Sequence, residues 1–151
     1  MSDTTKERVL ILCTGNSCRS QMAEALWRHE AGDRYEVTSA GTHPSGVHPL
    51  ARQVIEELGI DMSSQFSKSV YPMADRSFDL VVTVCDQAKQ VCPVFPHAAC
   101  QLYWPIADPI GAEGSVDDRL SAFRRTRDEI HGKIRAFLSD DARAHAQTVS
   151  G

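Results

Sequence analysis

A chain of 151 residues, 42% hydrophobic and 24% charged, has the size and composition of one globular domain that can bury a core without a disulfide or a metal. Its formal net charge of −4 speaks against nucleic acid as the main partner, but a small anion answers to a local site rather than to net charge. No stretch approaches the ~20 apolar residues of a membrane span, and Met1 to Arg8 is polar, without the apolar run of a secretory signal, so the expected location is the cytoplasm. Five cysteines, an odd count in a reducing compartment, then fit a structural disulfide framework badly. Buried thiols, metal ligands and redox catalysts remain open.

In chain order, Val9 to Leu12 is a short apolar run with the pattern of a buried parallel strand. It leads into Cys13-Thr14-Gly15-Asn16-Ser17-Cys18-Arg19-Ser20, a small polar loop. From Gln21 to Ala31 the period is helical, with Met22, Ala25 and Leu26 on one face and Gly32 as the stop. Tyr35 to Ala40 alternates and reads as a second strand; Gly41 to Pro49 reads as a loop. Leu50 to Leu58 is helical in period and stopped by Gly59. Phe78 to Val84 is a buried strand whose single charge is Asp79, and Gln101 to Trp104 is a further strand cut off by Pro105. Asp118 to Leu138 is a long amphipathic helix with Leu120, Phe123, Ile130, Ile134 and Phe137 as core positions. Residues 1–7 are expected to be flexible, 8–139 to form the domain, and 140–151 to be a disordered tail. There are no repeats, low-complexity tracts or linkers. The order of elements gives an α/β doubly wound sheet. In such folds ligands bind at the carboxyl ends of strands, and Cys13, Cys85 and Asp108 all follow strand-like segments.

The first loop carries chemistry. Five residues separate Cys13 from Arg19, and Ser20 follows. A loop between a strand and a helix can turn several backbone N–H groups into one concavity, and at the positive end of a helix such a nest binds a tetrahedral oxyanion. Thr14, Gly15, Asn16, Ser17, Cys18 and Arg19 are the expected oxyanion-binding residues, with Arg19 adding a bidentate clamp. Cys13 lies at the bottom, where the field of the helix end and of Arg19 favours thiolate over thiol. Ser20 can donate a hydrogen bond to that sulfur.

These residues also carry a resemblance. Cys13 to Glu24 (Cys-Thr-Gly-Asn-Ser-Cys-Arg-Ser-Gln-Met-Ala-Glu), Ser39-Ala40-Gly41, Asp79 to Thr83 and Trp104 to Pro109 resemble the low-molecular-weight tyrosine phosphatases. They are closer still to the arsenate reductases that share that fold. The likeness runs from Arg8 to Leu138. It implies a single-domain three-layer αβα sandwich around a central, mostly parallel four-stranded sheet. Where the phosphatases usually carry proline after Arg-Ser, Gln21 stands here, as in the reductases.

Cys85 ends a strand, and Cys92 follows after six residues and precedes Pro93. Taken alone the two could be buried thiols; C-x6-C is not a common zinc spacing, and no metal is expected. A phosphatase needs one nucleophilic thiol, whereas a reductase must supply two electrons, which two thiols closing to a disulfide provide. The resemblance to thioredoxin-coupled arsenate reductases implies a relay. Cys13 attacks arsenate, Cys85 attacks Cys13 and releases arsenite, and Cys92 attacks Cys85, leaving an 85–92 disulfide for thioredoxin. On a helix those two cysteines would lie ~10 Å apart, beyond the ~7 Å a disulfide spans, so Asp86 to Val91 is expected to be mobile. Cys18 need not join the relay, and Cys100 is expected to be structural.

In the resembling enzymes the aspartate of Asp108-Pro109 protonates the leaving group, which hydroxide requires. Ile110 stands where phosphatases usually carry an aromatic residue, and Gly46-Val47-His48 supplies no aromatic wall, which favours a small inorganic oxyanion over an aryl phosphate. Arsenate is the expected substrate, with phosphate or sulfate competing. Asn16, Glu24 and Ser39 match positions that hold potassium in some arsenate reductases. Lys68 stands where those members carry a carboxylate, so its ammonium replaces the cation and no potassium stimulation is expected. His43, His48, His97 and His131 match no catalytic position. The expected protein is a monomer with thioredoxin as partner and no bound cofactor. A phosphatase, which leaves Cys85 and Cys92 idle, and a redox or oxyanion sensor are the competing readings.

Overall fold

The computed structural model describes residues 6–73, 75–85 and 98–150, with the backbone alone described at 85 and from 141 to 150. Strands β1 (Glu7–Cys13), β2 (Tyr35–Gly41), β3 (Phe78–Cys85) and β4 (Ala98–Pro105) form one sheet in the order β2-β1-β3-β4, every pairing parallel. Helices are α1 (Arg19–Ala31), α2 (Pro49–Glu56) and α3 (Val116–Ser150). This is the expected α/β fold around a central four-stranded sheet.

The apolar run of β1 is explained by its central place, with both faces covered. Val9 and Ile11 face a core built with Met22, Leu26 and Trp27 of α1, Val54 and Ile55 of α2, and Phe123, Ile130 and Ile134 of α3. Leu10 and Leu12 face the other way, onto Val70, Met73, Phe78 and Val81. Among the described residues all three α-helices therefore pack on one face. The second face is covered by the segment that holds the short 3-10 turn Tyr71–Met73. Asp79, the one charge in β3, accepts the backbone N–H of Arg8 at 2.7 Å from the neighbouring strand.

The helices depart from the sequence expectation at their ends. α1 begins at Arg19, two residues early, and buries polar Arg19, Ser20, Gln21 and Glu24 beside Met22 and Leu26. A helix end that buries so many polar groups is plugged into a site rather than into oil. α3 passes Leu138, where the helical period was expected to end, and reaches Ser150. The physical reason lies in the sequence: no proline or glycine interrupts 133–150, and four alanines favour the helical backbone. Among the described residues no helix is long and apolar enough to cross a membrane.

Register decides what meets at the carboxyl edge. Cys13 pairs with Gly41, Leu12 with Thr83, and Cys85 with Pro105. Cys85 therefore falls one step beyond the level of Cys13 on the adjacent strand.

Candidate active site

The loop from Cys13 to Ser20 is held from outside. The carbonyl of Thr14 accepts from the backbone N–H of His43 at 2.8 Å, and that of Gly15 from Ser45 N–H at 3.0 Å and the Ser67 hydroxyl at 3.2 Å. The Asn16 carbonyl accepts from Gln21 Nε2 at 3.2 Å, and the Ser17 carbonyl from His48 N–H at 3.0 Å. A trans peptide carries its N–H antiparallel to its C=O. With four successive carbonyls anchored outward, the N–H groups of Gly15, Asn16, Ser17 and Cys18 are turned to the inner side of the loop, as an anion-binding nest requires.

Two positions make this path possible. Asn16 is the one non-glycine residue at positive φ (48°) among the described residues, and it is fully buried. Its amide nitrogen donates to Ser20 Oγ at 2.8 Å and Ser39 Oγ at 3.0 Å, and its Oδ1 accepts from Lys68 N–H at 2.9 Å and Gln21 Nε2 at 3.0 Å. Those bonds hold a conformation that costs a side chain ~1–2 kcal/mol. Gly41 lies directly under the loop: a Cβ there would come within 2.5 Å of the Thr14 carbonyl oxygen.

Cys13 and Cys18 are both buried. Burial pushes the Cys18 thiol up to about 12, with the nearby Asp108 and Cys13 charges adding to it, so Cys18 stays a neutral thiol across the physiological range. Arg19 is buried in the first turn of α1, where Nη1 donates to the Ile106 carbonyl at 2.8 Å and Nη2 lies 3.4 Å from Asp108 Oδ2. Asp108 is itself oriented, its Oδ1 accepting from Ile110 N–H at 3.0 Å to cap the 3-10 turn Pro109–Gly111. Cys13, Cys18, Arg19, Ser45, Asp108 and Ile110 line a cavity of about 50 Å³. That is far below the ~300 Å³ at which organic-ligand pockets begin.

Behind the loop, Glu24 is buried among partners. Its Oε1 accepts from Ser39 Oγ at 2.6 Å and its Oε2 from Arg28 Nη2 at 2.6 Å. Lys68 Nζ lies 3.9 Å from Glu24 Oε1, donates to the Phe66 carbonyl at 3.2 Å and stands 4.6 Å from the centre of the Phe66 ring. Burial holds the Lys68 ammonium below its ordinary value, against the pull of Glu24.

Of the residues singled out in the sequence, Cys13 to Ser20, Glu24, Ser39, Lys68 and Asp108 come together at one edge. Ser20 is placed as an acceptor for Asn16 and keeps its own hydrogen for a further partner. The backbone of Cys85 ends β3 at the same edge. Cys92, the segment 86–91 and His97 lie outside the described residues. Cys100, expected to be structural, is exposed on the edge strand β4. Sequence reasoning missed Gln21, Ser45, Ser67 and the backbone of 43–48 as the outer brace, and Gln65, whose Nε2 donates to Gln21 Oε1 at 2.9 Å. Only Gln21 carried a signal, as the residue that replaces proline.

The family of the low molecular weight phosphotyrosine protein phosphatases matches residues 8–148 of this chain. The chain belongs to that family. Among its relatives, an arsenate reductase of Halalkalibacterium halodurans is 43% identical over 132 residues, spanning 87% of this chain and 95% of that protein. A solved arsenate reductase in a phosphate-binding state superposes with a TM-score of 0.76 at 31% identity, covering 89% of this chain and 98% of the other. A thioredoxin-dependent arsenate reductase from Corynebacterium glutamicum does so with a TM-score of 0.69 at 30% identity, covering 92% of this chain and 63% of that one. Within the family, this chain thus stands with the arsenate reductases.

Proposed function

We propose that this protein reduces arsenate to arsenite through Cys13, Cys85 and Cys92, with thioredoxin as the electron donor. The observation that carries the reading is the pairing of a small anion nest over Cys13 with a second cysteine one register step away. Strands ~4.8 Å apart and a rise of ~3.3 Å per residue put the Cα atoms of Cys13 and Cys85 about 6 Å apart, within disulfide range.

The nest and Arg19 hold the oxyanion while the Cys13 sulfur bonds to arsenic and hydroxide leaves, protonated by Asp108. Cys85 then attacks the Cys13 sulfur. The Cys13–arsenic bond breaks, its electron pair reduces arsenic from the +5 to the +3 state, and arsenite departs. Cys92 attacks Cys85, frees Cys13 as a thiol, and leaves an 85–92 disulfide. Thioredoxin dithiol reduces that disulfide and is itself oxidised. The small cavity supports an inorganic tetrahedral ion over an aryl phosphate, and Ser20 has a hydrogen available for the Cys13 sulfur. The reductant and the reduced thiols suit the cytoplasm, and we take the working unit to be a monomer.

The test is arsenite formation with thioredoxin, thioredoxin reductase and NADPH. Wild-type turnover lost in Cys13→Ser, Cys85→Ser and Cys92→Ser supports the relay. Hydrolysis of p-nitrophenyl phosphate that survives loss of Cys85 and Cys92, without arsenite formation, would mean a phosphatase instead.

Lys68, with Arg28, is an internal counter-charge of Glu24 in this reading, and no potassium is needed. Wild-type activity should be equal in KCl and NaCl at matched ionic strength. Strong activation by potassium would overturn the assignment.

A further inference from the structure

The segment that braces the nest ends on a histidine with an unusual duty. His48 N-caps α2: its Nδ1 accepts the backbone N–H of Leu50 at 3.1 Å, Pro49 having no N–H to offer. Its own backbone N–H donates to the Ser17 carbonyl and so orients the Ser17–Cys18 peptide of the nest. The ring is tilted 34° on Phe123 of α3 at 4.9 Å, which fixes it against the core.

We propose that His48 is a positioning residue of the anion nest, and that it holds the Ser17–Cys18 peptide in place only as a neutral imidazole. The inference rests on the anion-binding reading of the loop, and it deepens that reading. An imidazole that accepts through Nδ1 must keep its lone pair there, so its proton sits on Nε2. Protonation turns Nδ1 into a donor facing another donor. It also sets a cation at the positive end of α2. The groups that face the ring point both ways. Arg119 on α3 opposes its charge and Asp108 on the acid loop favours it. Burial is the largest influence and holds the imidazole below its ordinary value of 6.5. The usual caps, serine, threonine, asparagine and aspartate, would do the same work near neutral pH without this proton switch. At acid pH the α2 end and His48 loosen together, and the Ser17 carbonyl loses its brace.

Phosphate binding to the intact wild-type protein, His48→Ala and His48→Asn, followed by calorimetry between pH 5 and 8, tests this without any redox step. His48→Ala should bind phosphate about three- to tenfold more weakly at pH 7.5, in line with loss of an N-cap. His48→Asn should restore the affinity. The ratio of wild-type to Asn affinity cancels the titration of phosphate and of every group the two proteins share. It should fall as pH drops below about 6.5, the ordinary imidazole range. A flat ratio, or wild-type affinity in His48→Ala at pH 7.5, overturns the positioning role. Failure of the wild type to bind phosphate at all overturns the nest, and the role with it.

Discussion

Asn16 takes φ 48° with no exposed surface, and four hydrogen bonds to its side chain link the loop to α1, β2 and the Lys68 backbone. Its value lies in those bonds more than in its backbone tolerance. Asn16→Ala should cost about 3 kcal/mol in urea unfolding, since it strands buried donors and acceptors in a left-handed residue. Asn16→Gly relieves the backbone and loses the same bonds, so it should recover only ~1 kcal/mol of that loss. Equal stability of Asn16→Ala and wild type would show that the amide network does little. The loop's chemical types were legible residue by residue: Cys13, Arg19 and Ser20 at this spacing point to an anion site. The partner of each was not, because a hydrogen bond across 52 residues, such as Ser67 Oγ to the Gly15 carbonyl, leaves no local trace.

At the scale of elements, α1 and α3 are tied across their surface by Glu30, which accepts from His131 Nε2 at 2.7 Å with Arg135 3.4 Å away. The His131 contact first, and Arg135 after it, hold the Glu30 carboxyl below its ordinary 4.5. A depressed carboxyl contributes stability that is present above its unfolded value and lost as pH falls through its folded one. Glu30→Gln should therefore lower Tm near pH 6 and flatten the decline of Tm between pH 5 and 3. An unchanged slope would remove Glu30 from the acid response. His48, also depressed, adds stability above about pH 6.5 that is lost on acidification, in the same sense. Helical period found α1, α2 and α3, but α2 ends at Glu56, two residues before the expected Leu58, and Gly59 at φ 79° closes the turn that follows. The early start of α1 at Arg19 was hidden, because its first turn faces the nest and buries polar side chains where an amphipathic pattern shows none.

For the whole molecule, Phe123 is the place where core and site share a wall. It is fully buried with Ile130 and Ile134 and carries the His48 ring on its face. Phe123→Ala should cost about 3–5 kcal/mol and should also weaken phosphate binding, because the cavity it leaves frees the His48 brace. Loss of stability with phosphate affinity intact at a temperature where the variant is folded would separate the two.

The amino-acid sequence by itself determined the α/β order of elements, the polar loop between β1 and α1 and the spacing of its Cys13 and Arg19. These are local facts, written in period and in the chemistry of adjacent residues. Tertiary structure alone decided the strand order β2-β1-β3-β4, which sets Cys85 beside Cys13. It also decided the brace from 43–48 and the burial of Lys68 against Glu24. Each of these joins residues distant in the chain, and only the packing of a common core brings them together.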